Sequence, residues 1–214
     1  MMRALADFFY TLSWRIPGRT WRRLYAFADA EAESALELRC AASQTKSPEL
    51  AAKFLRHAED EARHARILVR RAEVARDDGP LAAPRPAHAH LFRTLGEDAF
   101  IAFVLRGETR GRRQFEAHVR FFKTRDTALA TALESILGDE RQHESYTRAL
   151  LLERPDPKSL SRQVAWRDRG FRWRRAGAIL TAPVFALTMW TLYFLSAPLS
   201  LFIRKARPGW REGE

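Results

Sequence analysis

The chain has almost no cysteine. Cys40 is the only one in 214 residues, so no intrachain disulfide can form. There is no C-x-x-C pair, which excludes a thiolate zinc site or a rubredoxin-type iron site. Strand-like alternation of apolar and polar residues is also missing, which argues against a sheet. No nucleic-acid recognition module is legible, although the net charge is +11. Acidic residues are scarce where the positive charge gathers. Residues 162–214 hold ten Lys/Arg against three Asp/Glu, beside the most apolar stretch of the chain. Such a pairing suits an anionic membrane surface rather than nucleic acid.

What is present is helical punctuation. Pro17-Gly18 precedes a pattern running from about Arg19 to Ala42. Ser47 reads as an N-cap, with Pro48 at the first helical position, for a second helix reaching about Arg76. A long Pro-rich connection, "DDGPLAAPRPAHAH", follows. Thr94-x-x-Glu97 has the form of a capping box for a third helix ending near Phe122. Asp126 can cap a fourth, ending near Glu153. The expected class is all-α: a four-helix bundle with a long crossover between helices two and three. Residues 1–18 read as an amphipathic segment, 19–153 as the bundle, and 159–214 as a basic and hydrophobic membrane-associated segment.

Two matched helix faces carry the chemistry. Glu61-x-x-His64 and Glu140-x-x-His143 repeat one acid–imidazole pair, and residues three apart share a helix face. Chance placement of sixteen Glu and six His would give about half an occurrence, so the motif alone is weak. Its surroundings strengthen it. Phe54, Ala58 and Leu68 flank the first pair on its face; Leu133, Ile136 and Leu137 precede the second. Helices one and three each place a Glu in a similar stripe. Glu31 lies among Leu24, Phe27, Ala28 and Leu38, and Glu108 among Ile101, Val104, Leu105 and Phe115. A small residue follows each by three positions, Ser34 and Gly111. Glu33 is the alternative first-helix acid. Carboxylates in apolar stripes are costly unless something pairs with them, and two metal ions would do so. Oxygen-rich sites with some nitrogen suit iron or manganese.

With these six residues in place, the stretch 19–153 resembles the ferritin-like di-iron carboxylate superfamily. Its nearest likenesses are the rubrerythrin di-iron domain and the demethoxyubiquinone hydroxylases. The resemblance implies Glu31, Glu61, His64, Glu108, Glu140 and His143 as metal ligands, with Glu61 and Glu140 as bridges. It implies two iron ions as cofactor, manganese being the alternative. His57 and Glu144 share the same stripes as candidates for extra ligands or supporting partners. His88, His90 and His118 read as loop or surface residues, and Cys40 as a small core residue.

Residues 176–203 carry no charge. As a straight helix they would span about 42 Å, against a hydrocarbon core of about 30 Å. Arg172, Arg174 and Arg175 precede the run; Arg204, Lys205 and Arg207 follow it. Basic clusters on both sides fit a re-entrant or in-plane segment, and a single span would keep the bundle on the cytoplasmic side. The expected function is a membrane-associated di-iron oxidoreductase that activates O2 or peroxide. A hydrophobic quinone or lipid substrate follows from the hydroxylase likeness. Without further cysteines, an external electron donor or reductase is required. Membrane lipid is the expected partner, a homodimer is compatible, and nucleic acid is not expected. The alternatives are a ferroxidase or iron-sensing protein, and a metal-free membrane adaptor.

Overall fold

The Ser47–Pro48 signal is used as its chemistry dictates: the Ser47 hydroxyl accepts from the Leu50 N–H at 3.2 Å, and the helix starts at Pro48. In the computed structural model, residues 18–85 and 90–169, together with Leu187, are described. The N-terminal amphipathic stretch to residue 17, His88 and the rest of the apolar tail lie outside them. No strand occurs among the described residues. The protein is all-α. Its helices are α1 (Arg19–Gln44), α2 (Pro48–Arg76), α3 (Leu91–Leu95), α4 (Glu97–Phe122) and α5 (Thr127–Leu152). Asp126 caps α5 by accepting from the Leu129 N–H at 2.9 Å. The first unit of the chain, Met1–Val164, contains these five helices. It is helical again over 157–164, where Leu160 and Val164 join the core. In the second unit, 165–169 is helical.

One helix start differs from the sequence reading. Thr94 and Glu97 do not form a capping box. Thr94 lies inside the short α3 and donates to the His90 carbonyl at 2.8 Å. Gly96, at φ +78°, turns the chain into α4 without a side-chain cap. That left-handed angle is open to glycine, and its use separates Thr94 from α4. Glu97 instead accepts from Thr45 at 2.6 Å and from Arg154 at 3.1 Å. It thereby ties the α1–α2 turn to the end of α5.

Helix α1 packs along α2, and α4 along α5, while α2 meets α5. Two apolar clusters form inside this arrangement. One gathers Leu38, Phe54, Phe100, Ile101 and Leu150; the other gathers Leu24, Leu68, Phe115, Leu133 and Ile136. Along every long helix one cluster comes before, and the other after, the acids identified in the sequence. Each buried Leu or Phe contributes ~2 kcal/mol. The carboxylates are therefore held at mid-length by hydrophobic packing on both sides. The crossover is anchored too. Buried Glu37 accepts from the N–H groups of His90 and Leu91, both at 3.1 Å, and so caps α3. Phe92 packs edge-on against Phe54 and Phe100.

Two expectations about minor residues are corrected. His118 is buried, not at the surface: its ring sits edge-on to Phe27, and Nδ1 donates to the Gln114 carbonyl at 2.6 Å. Burial pushes its pKa down to about 4, so the ring is neutral at physiological pH. Cys40 is half-buried beside Gln44 rather than in the core.

Candidate metal centre

The E-x-x-H spacing places Glu61 and His64 on one face of α2, and Glu140 and His143 on one face of α5. Both faces turn inward. Glu61, His64, Glu108, Glu140 and His143 are buried, and Glu31 is half-buried. The six residues proposed from the sequence converge into two donor groups. One consists of Glu31, Glu61, His64 and Glu140; the other of His57, Glu61, Glu108 and His143. Within each group one ligand atom per residue lies within 4.8 Å of all the others. Glu61 belongs to both groups and is placed to bridge. Glu140 belongs to only one. Its carboxylate leans onto α4, where a Cβ on Gly111 would lie 2.8 Å from Oε2.

Of the two first-helix acids, Glu31 reaches the cluster. Glu33 is exposed and belongs to neither group. Glu144 accepts from Arg112 and Arg148, so its charge is already matched on the side of the arginines. His57 is the addition: it sits one turn before Glu61, fully buried, inside the second group.

Two aspartates were missed in the sequence. His64 Nε2 donates to Asp139 at 3.0 Å, and His143 Nε2 donates to Asp60 at 3.1 Å. Each aspartate belongs to the opposite hairpin from the histidine it holds. Arg63 joins the two, 2.7 Å from Asp60 and 2.9 Å from Asp139. The available signal was the Asp that immediately precedes Glu in both "DEARH" and "DERQH". With Nε2 engaged as donor, each ring turns Nδ1 to the interior, where it can serve as a ligand atom once it carries no proton.

Those Nδ1 atoms are orphans. His64 Nδ1, His143 Nδ1 and Glu108 Oε2 are buried without a hydrogen-bond partner. They face charged groups without a formed hydrogen bond: His143 Nδ1 is 3.3 Å from Glu61 Oε1, and His64 Nδ1 is 3.7 Å from Glu140 Oε1. A buried polar atom left so costs roughly 1–3 kcal/mol. The electrostatics show the same strain. Burial, then the neighbouring Glu61, holds the Glu31 carboxyl well above its ordinary pKa; burial, then Glu108, does so for Glu140. Glu61 is shifted well down: burial opposes the charge, but its bonds to Glu31, His143 and His57 outweigh it. His143 is pushed up to about 11, Glu108 and Glu61 overcoming the penalty of burial. His64 is pushed down by burial. Without a cation, protons must do the neutralising. Cations at the two groups would take over that role and meet the orphaned atoms directly, so this donor set fits bound metal.

No family model matches the chain, and neither a curated protein nor a solved structure matches it. The reading of the centre therefore rests on its own geometry: buried, matched His/Glu groups that could hold a metal ion.

Proposed function

We propose that the chain is a di-iron carboxylate protein with a ferritin-like four-helix bundle, acting as a membrane-associated oxidoreductase on O2 or peroxide. One observation carries this reading: two four-residue donor groups share Glu61 and lie between two apolar clusters. The balance of carboxylate and imidazole suits iron, with manganese as the alternative. Bound iron would supply the one-electron chemistry that oxygen or peroxide reduction needs. The protein's own residues do the rest. Glu61 holds the two positions together. Asp60 and Asp139 fix the His143 and His64 rings, and Arg63 fixes the two aspartates. The apolar clusters bury the donor groups on both sides along the helices. Electrons come from a separate donor, since Cys40 is the only cysteine and no sulfur cluster can be built.

A hydrophobic substrate, a quinone or a lipid, fits the surroundings. A cavity of about 470 Å³ has an apolar floor that includes Ala32, Ala35, Ala62 and Ala65, and charged walls of Arg39, Arg66, Arg70 and Glu73. Its alanines belong to the same turns of α1 and α2 as Glu31, Glu61 and His64. Anaerobic Fe(II) loading of the full chain should give about two irons per chain. Oxygen uptake should then continue catalytically with a reductant and a quinone or lipid acceptor. Uptake that ends once the loaded iron is oxidised would make the protein a ferroxidase, and no bound iron would remove the di-metal reading.

Membrane association rests on the charge-free run 176–203 and its basic flanks. Among the described residues no helix is long and apolar enough to cross a membrane, and the run itself lies outside them apart from Leu187. Apolar insertion is insensitive to salt, whereas attraction of arginines to anionic lipid is screened. High-salt washing should fail to strip the full chain from vesicles, while deletion of 170–214, which keeps Val164 in the core, should release it with its metal still bound. A full chain that is soluble without detergent and ignores vesicles would end this part of the proposal.

A further inference from the structure

We infer that His57 is a seventh protein ligand of the metal pair and that it makes the two positions chemically unequal. This rests on the di-metal reading and extends it. His57 precedes Glu61 by four residues, so both point from the same face of α2. Its ring lies against that of His143, tilted, with centroids 3.7 Å apart and 33° between planes. Both rings address the same two acids. His57 Nε2 is 3.0 Å from Glu61 Oε1 and 3.4 Å from Glu108 Oε1. His143 Nδ1 is 3.3 Å from Glu61 Oε1 and 3.7 Å from Glu108 Oε2. A cation among these atoms meets two imidazoles and two carboxylates. Without His57 it would meet three residues, because Glu140 belongs to the other group.

The far side of the ring has a partner of its own. His57 Nδ1 lies 2.6 Å from the Tyr146 hydroxyl. A cation would take the place of the proton that Nε2 shares with Glu61, and Nδ1 would then keep its proton and donate to Tyr146. Tyr146 then does for His57 what Asp139 and Asp60 do for His64 and His143. It is a neutral partner where the others are charged.

The result is one position with His57, His143, Glu61 and Glu108, and another with His64, Glu31, Glu61 and Glu140. The first has two nitrogens; the second has one nitrogen and three carboxylates. Nitrogen ligands favour the later first-row metals, and carboxylates suit manganese. The first position therefore takes Co(II) or Fe(II) in preference to Mn(II), and the pair loads in two unequal steps.

Anaerobic Co(II) titration of the full chain, followed by visible absorption and metal content, tests this. The parent should show two steps of different affinity and spectrum. His57→Gln keeps an amide able to donate to Glu61 but replaces the imidazole ligand. It should lose the nitrogen-rich step and keep about one Co(II) per chain, the retained step showing that the variant is folded. Tyr146→Phe should keep both steps and weaken the first by roughly 10-fold or more. Equal steps in the parent, or a His57→Gln protein with unchanged steps and spectra, would show that His57 only hydrogen-bonds to Glu61. Loss of both steps together would overturn the assignment as well, since the other position does not use His57. A parent that binds no Co(II) or iron would fail the di-metal reading itself.

Discussion

Glu61→Ala should empty both metal positions at once. No other residue belongs to both donor groups, so no other single truncation is expected to do this. Glu31→Ala and Glu108→Ala each touch one group, and should lower iron content from about two per chain toward about one. Glu33→Ala touches neither and should keep the parent value, because Glu33 is exposed. The loss at Glu61 is more than one missing oxygen. Its carboxylate is 3.0 Å from His57 and 3.3 Å from His143, and it shares a hydrogen bond with Glu31. Its removal leaves two imidazoles and a second acid without their common partner. Metal content after iron loading gives the answer, with melting measured in the presence and absence of iron. Iron should raise the melting temperature of the parent and leave that of Glu61→Ala unmoved, because a ligand stabilises only a protein it binds. Full occupancy in Glu61→Ala would mean that the two groups do not share a bridge.

The sequence reveals helices and ligands on quite different grounds. Ser47-Pro48 and Asp126 are local signals: each side chain meets an N–H three residues on, whatever the rest of the chain does. The acids are legible for a similar reason. A charge repeated within an apolar stripe needs only one helix to be noticed. What escapes is everything decided between helices. Asp60 and Asp139 are a single residue away from Glu61 and Glu140, about 100° around the helix. Seen on one helix they leave the metal-facing stripe; only the opposite hairpin brings His143 and His64 to them. His57 and Glu144 looked equivalent in the stripes. Arg112 and Arg148 take Glu144, whereas Tyr146 and His143 place His57 in the cluster. His118 escaped because an imidazole among Arg and Phe residues reads as surface until Phe27 is found against it. The Thr94–Glu97 box failed because Gly96 offered the chain a left-handed turn between them.

Gly111→Ala should stabilise the helix and damage the centre. Gly111 lies inside α4, three residues beyond Glu108, where glycine costs about 1 kcal/mol relative to alanine. Nothing in its backbone requires glycine, since its φ is not in the left-handed region. The requirement comes from across the bundle. A Cβ there would stand 2.8 Å from Glu140 Oε2 and 3.6 Å from its Cδ. The atom that must yield is the end of a flexible side chain, so the fold survives and Glu140 moves. Glu140 serves only the group with Glu31 and His64, and that position should suffer first. Metal-free Gly111→Ala should melt at or above the parent temperature, by up to about 3 °C for a unit of this size. Its iron content should fall from about two per chain toward about one. Gly107→Ala is the matched comparison: same helix, one turn earlier, with nothing within 4 Å of the added Cβ. It should bring the same helical gain and keep both metals. A Gly111→Ala protein that binds two irons with parent affinity would show that Glu140 does not need the space glycine leaves it, and its place among the ligands would be lost.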